Sequence, residues 1–196
     1  MVKSAPSHLP LLASHEVMSE PELRYELTLY PSPLLRRPCP PVEQFDGELA
    51  QILEDMYQRM HASHGVGLAA PQVGIRKRIL VLSATGEEAD QLALINPTIL
   101  DKFGDLTVAE EGCLSFPDIY AEVSRPEKCT VKAFTASGEE FERTFEGFES
   151  RIVQHEYDHL EGVLLVDRMS GADKQRNKAA LQDLVESYKR HMAAQG

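Results

Sequence analysis

Hydrophobic and polar residues follow different patterns in successive segments of the chain, and each pattern predicts a different local structure. Residues 1–24 have no regular period and are rich in Ser, Pro, Glu and His, which predicts a flexible N-terminal arm. Tyr25, Leu27 and Leu29 alternate with polar residues, and this period of two predicts a strand. Residues 45–60 place Phe, Leu, Ile and Met at helical spacing among polar residues, which predicts a long helix.

The middle of the chain is predicted to form strands, and its end to form a helix. The apolar runs predicted as strands are 79–82, 92–95 (closed by Asn96-Pro97) and stretches between 123 and 145, with a hairpin turn at Ser137-Gly138. A helical apolar stripe from Ala180 to Met192 follows Ser170. Because helices flank a block of strands, we expect a single α+β domain over residues 25–196, with a long N-terminal helix and a C-terminal helix.

The composition is that of an ordinary globular protein and argues against several classes. The 196 residues suffice for one domain with a hydrophobic core. A net charge of −11 argues against a DNA-binding surface, because phosphate backbones attract basic patches. No apolar stretch is long enough to span a membrane. Three cysteines, an odd number, fit a reducing compartment better than a disulfide framework, so we expect a cytoplasmic protein.

Residues 154–160 contain the pattern His-Glu-x-x-His. On a helix, His155 and His159 lie one turn apart on the same face and can bind one metal ion. Glu156 lies beside the first histidine and can take a proton from water at the metal. A chance pair of histidines on a helix surface is the alternative. If the pair binds metal, a third ligand must come from elsewhere in the chain. We then expect this helix to be the central one, with the antiparallel strands packed around it.

Cys113 is the candidate for that third ligand. Gly112 precedes it in a glycine-containing turn, after two acidic residues, and a thiolate suits a site that already has two imidazoles. An inert core cysteine is the other interpretation, and it is the one we favour for Cys129.

Two rival functions remain open on these residues alone. A zinc peptidase of the His-Glu-x-x-His type usually takes its third ligand downstream of the motif, where His191 is the only histidine and Asp167 fits no familiar pattern. A metal-stabilised binding domain is the second rival, in which Glu156 and Gln72 would have no role.

Three segments together resemble the signature motifs of the peptide deformylase family. They are Gly65-x-Gly67-Leu68-Ala69-Ala70-x-Gln72, Glu111-Gly112-Cys113-Leu114-Ser115 and Gln154-His155-Glu156-x-x-His159. Their order and spacing match, and the similar region runs from about Leu27 to Met169. The resemblance implies an enzyme that removes the N-formyl group from N-formylmethionyl peptides with one metal ion, natively Fe(II), which Zn, Ni or Co can replace.

The resemblance also implies a role for each matching residue. The implied roles are metal ligation by Cys113, His155 and His159, general acid and base catalysis by Glu156, polarisation of the formyl oxygen by Gln72 and the backbone N–H of Leu114, peptide binding by the Gly67 backbone, and a structural ion pair between Glu111 and Arg125. We further expect Val66 and Ile152 to form walls of an apolar methionine pocket. A monomer is expected. Basic residues of the last helix are compatible with docking on the ribosome, and a solvated helix face is the alternative interpretation.

Overall fold

The computed structural model describes residues 23–195, which form one five-stranded antiparallel sheet and five α-helices. The strands are β1 (Gly67–Ala69), β2 (Ile79–Leu82), β3 (Leu92–Cys113), β4 (Phe116–Phe134) and β5 (Glu140–Glu146), and each pairs with the next in chain order. The helices are α1 (Gly47–Ala62), α2 (Gly147–Leu160), α3 (Leu165–Arg168), α4 (Gly171–Arg176) and α5 (Lys178–Gln195). The predicted α+β class is therefore confirmed.

Helix α2 is the central helix of the fold. Ten of its 14 residues are buried, which is more than one amphipathic stripe provides, so the helix packs against neighbours on most sides. Val153 and Leu160 lie in a core with strand residues such as Val131 and Phe145. The helix ends at Leu160, and Gly162 follows with a positive φ of 73°.

Helix α1 confirms the predicted N-terminal helix, with one change at its start. Asp46 caps the helix, since its Oδ1 accepts hydrogen bonds from the backbone N–H groups of Glu48 at 3.0 Å and Leu49 at 3.1 Å. Phe45 therefore precedes the helix, although its spacing fits the apolar stripe. Its ring contacts the ring of Phe134 at a centroid distance of 5.7 Å.

The strand predicted at Tyr25, Leu27 and Leu29 is wrong. This segment belongs to no sheet, although Thr28 N–H donates to the carbonyl of Gln72 at 2.7 Å and Tyr30 N–H to the carbonyl of Ser115 at 3.0 Å. Two isolated backbone bonds hold an extended chain in place without forming a ladder. Tyr25 and Leu27 pack beside α1, and this tertiary contact explains their apolar alternation.

The predicted end of a strand at Asn96-Pro97 is also wrong, because β3 continues through both residues. The register with β4 shifts between Ile95 and Thr98, so the proline lies in a β-bulge, where its missing N–H is tolerated. Asn96 has a positive φ of 51°, and its side chain forms two hydrogen bonds with the backbone of Val42, at 2.7 and 2.9 Å.

The C-terminal helix predicted after Ser170 is divided into two. Helix α4 ends before Asn177, and α5 starts at Lys178. The hairpin turn at Ser137-Gly138 is confirmed between β4 and β5. The predicted arm of residues 1–24 lies almost wholly outside the described residues. Within residues 23–195, no helix has both the length and the hydropathy needed to cross a membrane.

Candidate metal centre and cleft

Three potential metal ligands converge where the β3–β4 hairpin meets α2. Cys113 is the last residue of β3, and His155 and His159 lie on α2. Their donor atoms all lie within 4.8 Å of one another, and Cys113 Sγ is 3.3 Å from His159 Nε2. Ordinary metal–sulfur and metal–nitrogen bonds at a tetrahedral angle separate the two ligand atoms by about 3.6 Å. The donor set therefore fits one metal ion of the zinc or iron type.

His155 is oriented by an acidic residue of the hairpin. Its Nδ1 lies 2.9 Å from Glu111 Oε2, which leaves Nε2 as the nitrogen for a metal, in the usual carboxylate–histidine–metal arrangement. Burial alone would lower the pKa of His155, but contacts with Cys113 and Glu111 raise it well above 6.5.

Glu111 is the centre of a buried ionic network. Arg125 binds its two carboxylate oxygens at 2.7 and 2.9 Å, so the expected Glu111–Arg125 pair is present. Arg151 binds Oε1 at 2.7 Å from the opposite element, α2. Burial raises the pKa of Glu111, but hydrogen bonds from His155 and Arg125 outweigh it and lower the value to about 2. The carboxylate is therefore ionised at neutral pH, as its two arginine partners require.

Sequence reasoning missed two members of this network, Arg151 and Asp158. Asp158 is buried and accepts hydrogen bonds from Arg125 at 2.9 Å and Arg168 at 3.0 Å. Arg151 precedes His155 by four residues, so both lie on the same helix face. The sequence did carry one signal for Arg151. It stands beside apolar Ile152 and Val153 on a helix that packs inside the protein, and a buried charge needs a partner.

Glu156 is buried beside the two histidines and is suited to carry a proton. Burial raises its pKa to about 7, although the positive charges of His155 and Arg125 act in the opposite direction. Its Oε2 has no hydrogen-bond partner among the described residues. A carboxylate with a pKa near neutrality exchanges protons readily at physiological pH, and a cation beside it would favour the ionised form.

His159 is held as a neutral imidazole. Burial lowers its pKa well below 6.5, and the positive charges of His155 and Arg125 act in the same direction. A neutral imidazole is the form that binds a metal. Its Nε2 faces the thiol of Cys113, so both histidines can present Nε2 to the same ion.

The amide of Gln72 is fixed in one orientation. Its Oε1 accepts a hydrogen bond from the backbone N–H of Ala69 at 2.7 Å, so its NH₂ group points the other way. Nε2 lies 3.6 Å from Cys113 Sγ. The donor end of the amide therefore faces the metal centre, where it can stabilise negative charge on a bound carbonyl.

An open cleft of about 590 Å³ borders the candidate metal centre, although Gln72 and His159 are not among the residues that line it; it has the size of a small-molecule or peptide site. The predicted residues that line it are Val66, Gly67, Cys113, Leu114, Ile152, His155 and Glu156. Gly67 leaves no room for a side chain, because a Cβ there would lie 2.6 Å from Ile152 Cγ2 and 2.7 Å from Glu156 Oε1. Phe148 and Tyr120, which sequence reasoning missed, also line the cleft and are more than half exposed.

Fold and site together define an α+β domain with a candidate three-ligand metal centre beside a buried carboxylate. A family profile described as polypeptide deformylase matches residues 24–175. Among curated relatives, the peptide deformylase of Thermotoga sp. (strain RQ2) is 42% identical over 166 residues, which is 85% of this chain and 99% of the relative. That of Maricaulis maris (strain MCS10) is 39% identical over 170 residues, 86% of this chain and 98% of the relative.

Solved structures agree with these relatives. The peptide deformylase of Plasmodium falciparum superposes with a TM-score of 0.83 at 38% identity, covering 84% of this chain and 98% of its own. That of Synechococcus elongatus, in complex with actinonin, has a TM-score of 0.76 at 37% identity and covers 86% and 90%. This chain belongs to the polypeptide deformylase family. Membership supports removal of the N-formyl group from nascent peptides as its activity.

Proposed function

We propose that this protein removes the formyl group from the N-terminal formylmethionine of newly made polypeptides and that the reaction depends on one metal ion held by Cys113, His155 and His159. The observation that carries the proposal is the convergence of these three donors, two of which, Cys113 and His155, line one open cleft together with Glu156. A zinc peptidase with a downstream ligand is disfavoured, because the third donor near the two histidines is the upstream Cys113.

The chemistry is hydrolysis of a formamide. The metal, when bound, supplies Lewis-acid activation of water. Glu156 accepts the proton of the attacking water and later returns it to the leaving amine. This transfer suits a carboxyl group whose pKa is about 7. The Gln72 amide and the backbone N–H of Leu114 donate hydrogen bonds to the developing oxyanion. The products are formate and a free N-terminal methionine.

We propose Fe(II) as the native metal, with Zn, Ni or Co able to replace it. One thiolate and two imidazoles form a donor set that all four divalent ions accept. The thiolate of Cys113 also makes an iron-loaded centre sensitive to oxidation, because the half-buried sulfur borders the open cleft. Purification without oxygen should therefore preserve activity that purification in air destroys.

Substrate binding is proposed to combine backbone pairing with an apolar pocket. Gly67 starts β1, which is an edge strand of the sheet, so its backbone can pair with an extended peptide, whatever the peptide's sequence. Val66 and Ile152 line the same cleft and are proposed to contact the methionine side chain. If Ile152→Asp left the turnover of formyl-Met-Ala-Ser unchanged, Ile152 would be removed from this pocket.

The remaining proposals concern the protein's surroundings. We propose a cytoplasmic monomer that acts on nascent chains near the ribosomal exit tunnel. Basic residues of the C-terminal helices support ribosome docking; they are Lys174, Arg176, Lys178, Lys189 and Arg190. Deletion of residues 174–196 should abolish co-sedimentation with ribosomes, and unchanged co-sedimentation would remove docking from the proposal.

The proposed activity is tested by the release of formate from formyl-Met-Ala-Ser, with acetyl-Met-Ala-Ser as the matched substrate. Metal-loaded protein should release formate and no acetate. Treatment with a chelator should abolish the release, and added Fe(II), Ni(II) or Co(II) should restore it. Formate release that survives complete removal of metal would contradict the metal dependence.

A further inference from the structure

The ligands of the candidate metal centre come from two separate elements of the fold. Cys113 lies on the β3–β4 hairpin, whereas His155 and His159 lie on α2. The distance between sulfur and the imidazoles therefore depends on how firmly the hairpin is fixed against the helix. From Thr107 to Cys113 the hairpin strand is paired on one side, with β4, so contacts with other elements, α2 among them, help to hold its position.

Arg151 connects the helix to the hairpin with four hydrogen bonds. Its Nη1 donates to Glu111 Oε1 at 2.7 Å and to the carbonyl of Val123 at 2.9 Å. Its Nη2 donates to the carbonyl of Thr107 at 2.8 Å and to Thr107 Oγ1 at 2.9 Å. Both strands of the hairpin, β3 and β4, are therefore bound by one side chain of α2.

These contacts assign Arg151 to positioning rather than to substrate binding. The four bonds use all four N–H groups of its two terminal nitrogens, although the residue borders the cleft. The side chain is 10% exposed, so its charge is compensated mainly by Glu111. Only an arginine has the planar set of donors that reaches three residues on two strands at once.

We propose that Arg151 is a positioning residue that fixes the β3–β4 hairpin, which carries Cys113, against α2, which carries His155 and His159. It thereby sets the affinity of the candidate centre for its metal. The proposal rests on the proposed metal centre but not on the deformylation reaction. Arg151 also holds Glu111, the carboxylate that orients His155. Loss of such an outer contact typically lowers metal affinity about 10- to 100-fold.

Metal affinity of the folded, metal-free protein tests this role. The dissociation constant for Zn(II) is measured by competition with a chromophoric chelator, and the absorption spectrum of the Co(II) form reports the ligand geometry. Arg151→Met should weaken Zn(II) binding about 10- to 100-fold and alter the Co(II) spectrum. Arg151→Lys keeps a positive charge beside Glu111 but cannot form all four bonds, so it should restore only part of the affinity.

Arg143→Met is the matched control. Arg143 also pairs with a glutamate of α2, since its Nη2 lies 2.8 Å from Glu149 Oε2, but this pair is exposed and touches no ligand. The control should keep the Zn(II) affinity of the unchanged protein. If Arg151→Met fails to fold, Thr107→Val removes one exposed acceptor of Arg151 and should weaken binding in the same direction by a smaller factor.

Unchanged Zn(II) affinity in folded Arg151→Met, with only a lower melting temperature, would show a purely structural role and overturn the proposal. So would unchanged affinity in Thr107→Val where Arg151→Met does not fold. The proposed reaction fails separately: metal-loaded, unchanged protein that releases no formate refutes deformylation, whereas the effect of Arg151 on Zn(II) affinity is measured without substrate.

Discussion

Replacement of Gly67 by alanine should damage the reaction more than it damages the fold. A Cβ at this position would lie 2.6 Å from Ile152 Cγ2 and 2.7 Å from Glu156 Oε1. Ordinary contacts of a Cβ begin at 3.4 Å, so the Glu156 carboxylate must retreat by about 0.7 Å. Ile152 and Glu156 are both buried, so neither can turn freely into solvent.

The size of the effect follows from this displacement. A misplacement of about 1 Å in a catalytic group can cost about 100-fold in rate, so a slightly smaller shift should lower kcat/KM by about 10- to 100-fold. That loss corresponds to about 1.4–2.7 kcal/mol of transition-state stabilisation. Overpacking of this kind costs about 1–3 kcal/mol of stability, which should leave most of the protein folded at 25 °C.

The assay compares Gly67→Ala with Gly47→Ala. A Cβ at Gly47, the first residue of α1, meets nothing within 4 Å, so this control should keep full activity. Formate release from formyl-Met-Ala-Ser gives kcat/KM, and thermal unfolding of the same samples gives the folded fraction. Wild-type kcat/KM in folded Gly67→Ala would refute the reasoning, because it would mean that Glu156 does not need its observed position.

Three further predictions concern Glu111, Gln72 and Gly162. In the folded protein the pKa of Glu111 is about 2, below its ordinary value of 4.5. This lowered pKa contributes about 3 kcal/mol to the free energy of unfolding. The contribution is present above pH 4.5 and is lost as the pH falls towards 2. Urea unfolding at several pH values should show this loss of stability. The same pH-dependent loss in Glu111→Gln would contradict its assignment to Glu111. Gln72→Ala should lower kcat for formate release about 10²- to 10³-fold with metal content unchanged; an unchanged kcat removes the amide from the oxyanion site. Gly162→Ala should lower the free energy of unfolding by more than about 1 kcal/mol, since φ is +73° and the added Cβ would strike the backbone carbonyl of Arg36; unchanged urea unfolding would contradict it.

The sequence allowed most helices and strands to be predicted, and the errors have a common cause. Helix α2 and the hairpin turn at Ser137-Gly138 carry local signals that tertiary packing does not override. At Leu27 the alternation of apolar residues reflects packing beside α1 rather than a strand. At Asn96 the following proline normally ends a strand. Here a β-bulge accommodates it, and the Asn96 side chain is hydrogen-bonded to the backbone of Val42.

The candidate site was predictable only as far as its motifs extend. Cys113 and the two histidines could be proposed from residue type, spacing and family resemblance. For Arg151 the sequence indicates only that its charge needs a partner; its acceptors, such as Thr107 and Val123 in the strands, could not be predicted, because no spacing along the chain indicates those contacts. The burial of this charged side chain on the helix that carries two candidate metal ligands can be interpreted only once the partner strands are known.

The most direct test of the account is formate release by anaerobically purified protein, measured with the metal content of the same sample, for the unchanged protein and for Glu156→Gln. Both proteins should bind one metal ion per chain, and the variant should release formate from formyl-Met-Ala-Ser about 10²- to 10⁴-fold more slowly. Formate release at the unchanged rate by the metal-loaded variant would contradict the proposed role of Glu156. Metal-loaded, unchanged protein that releases no formate with iron, nickel or zinc would contradict the proposed activity itself.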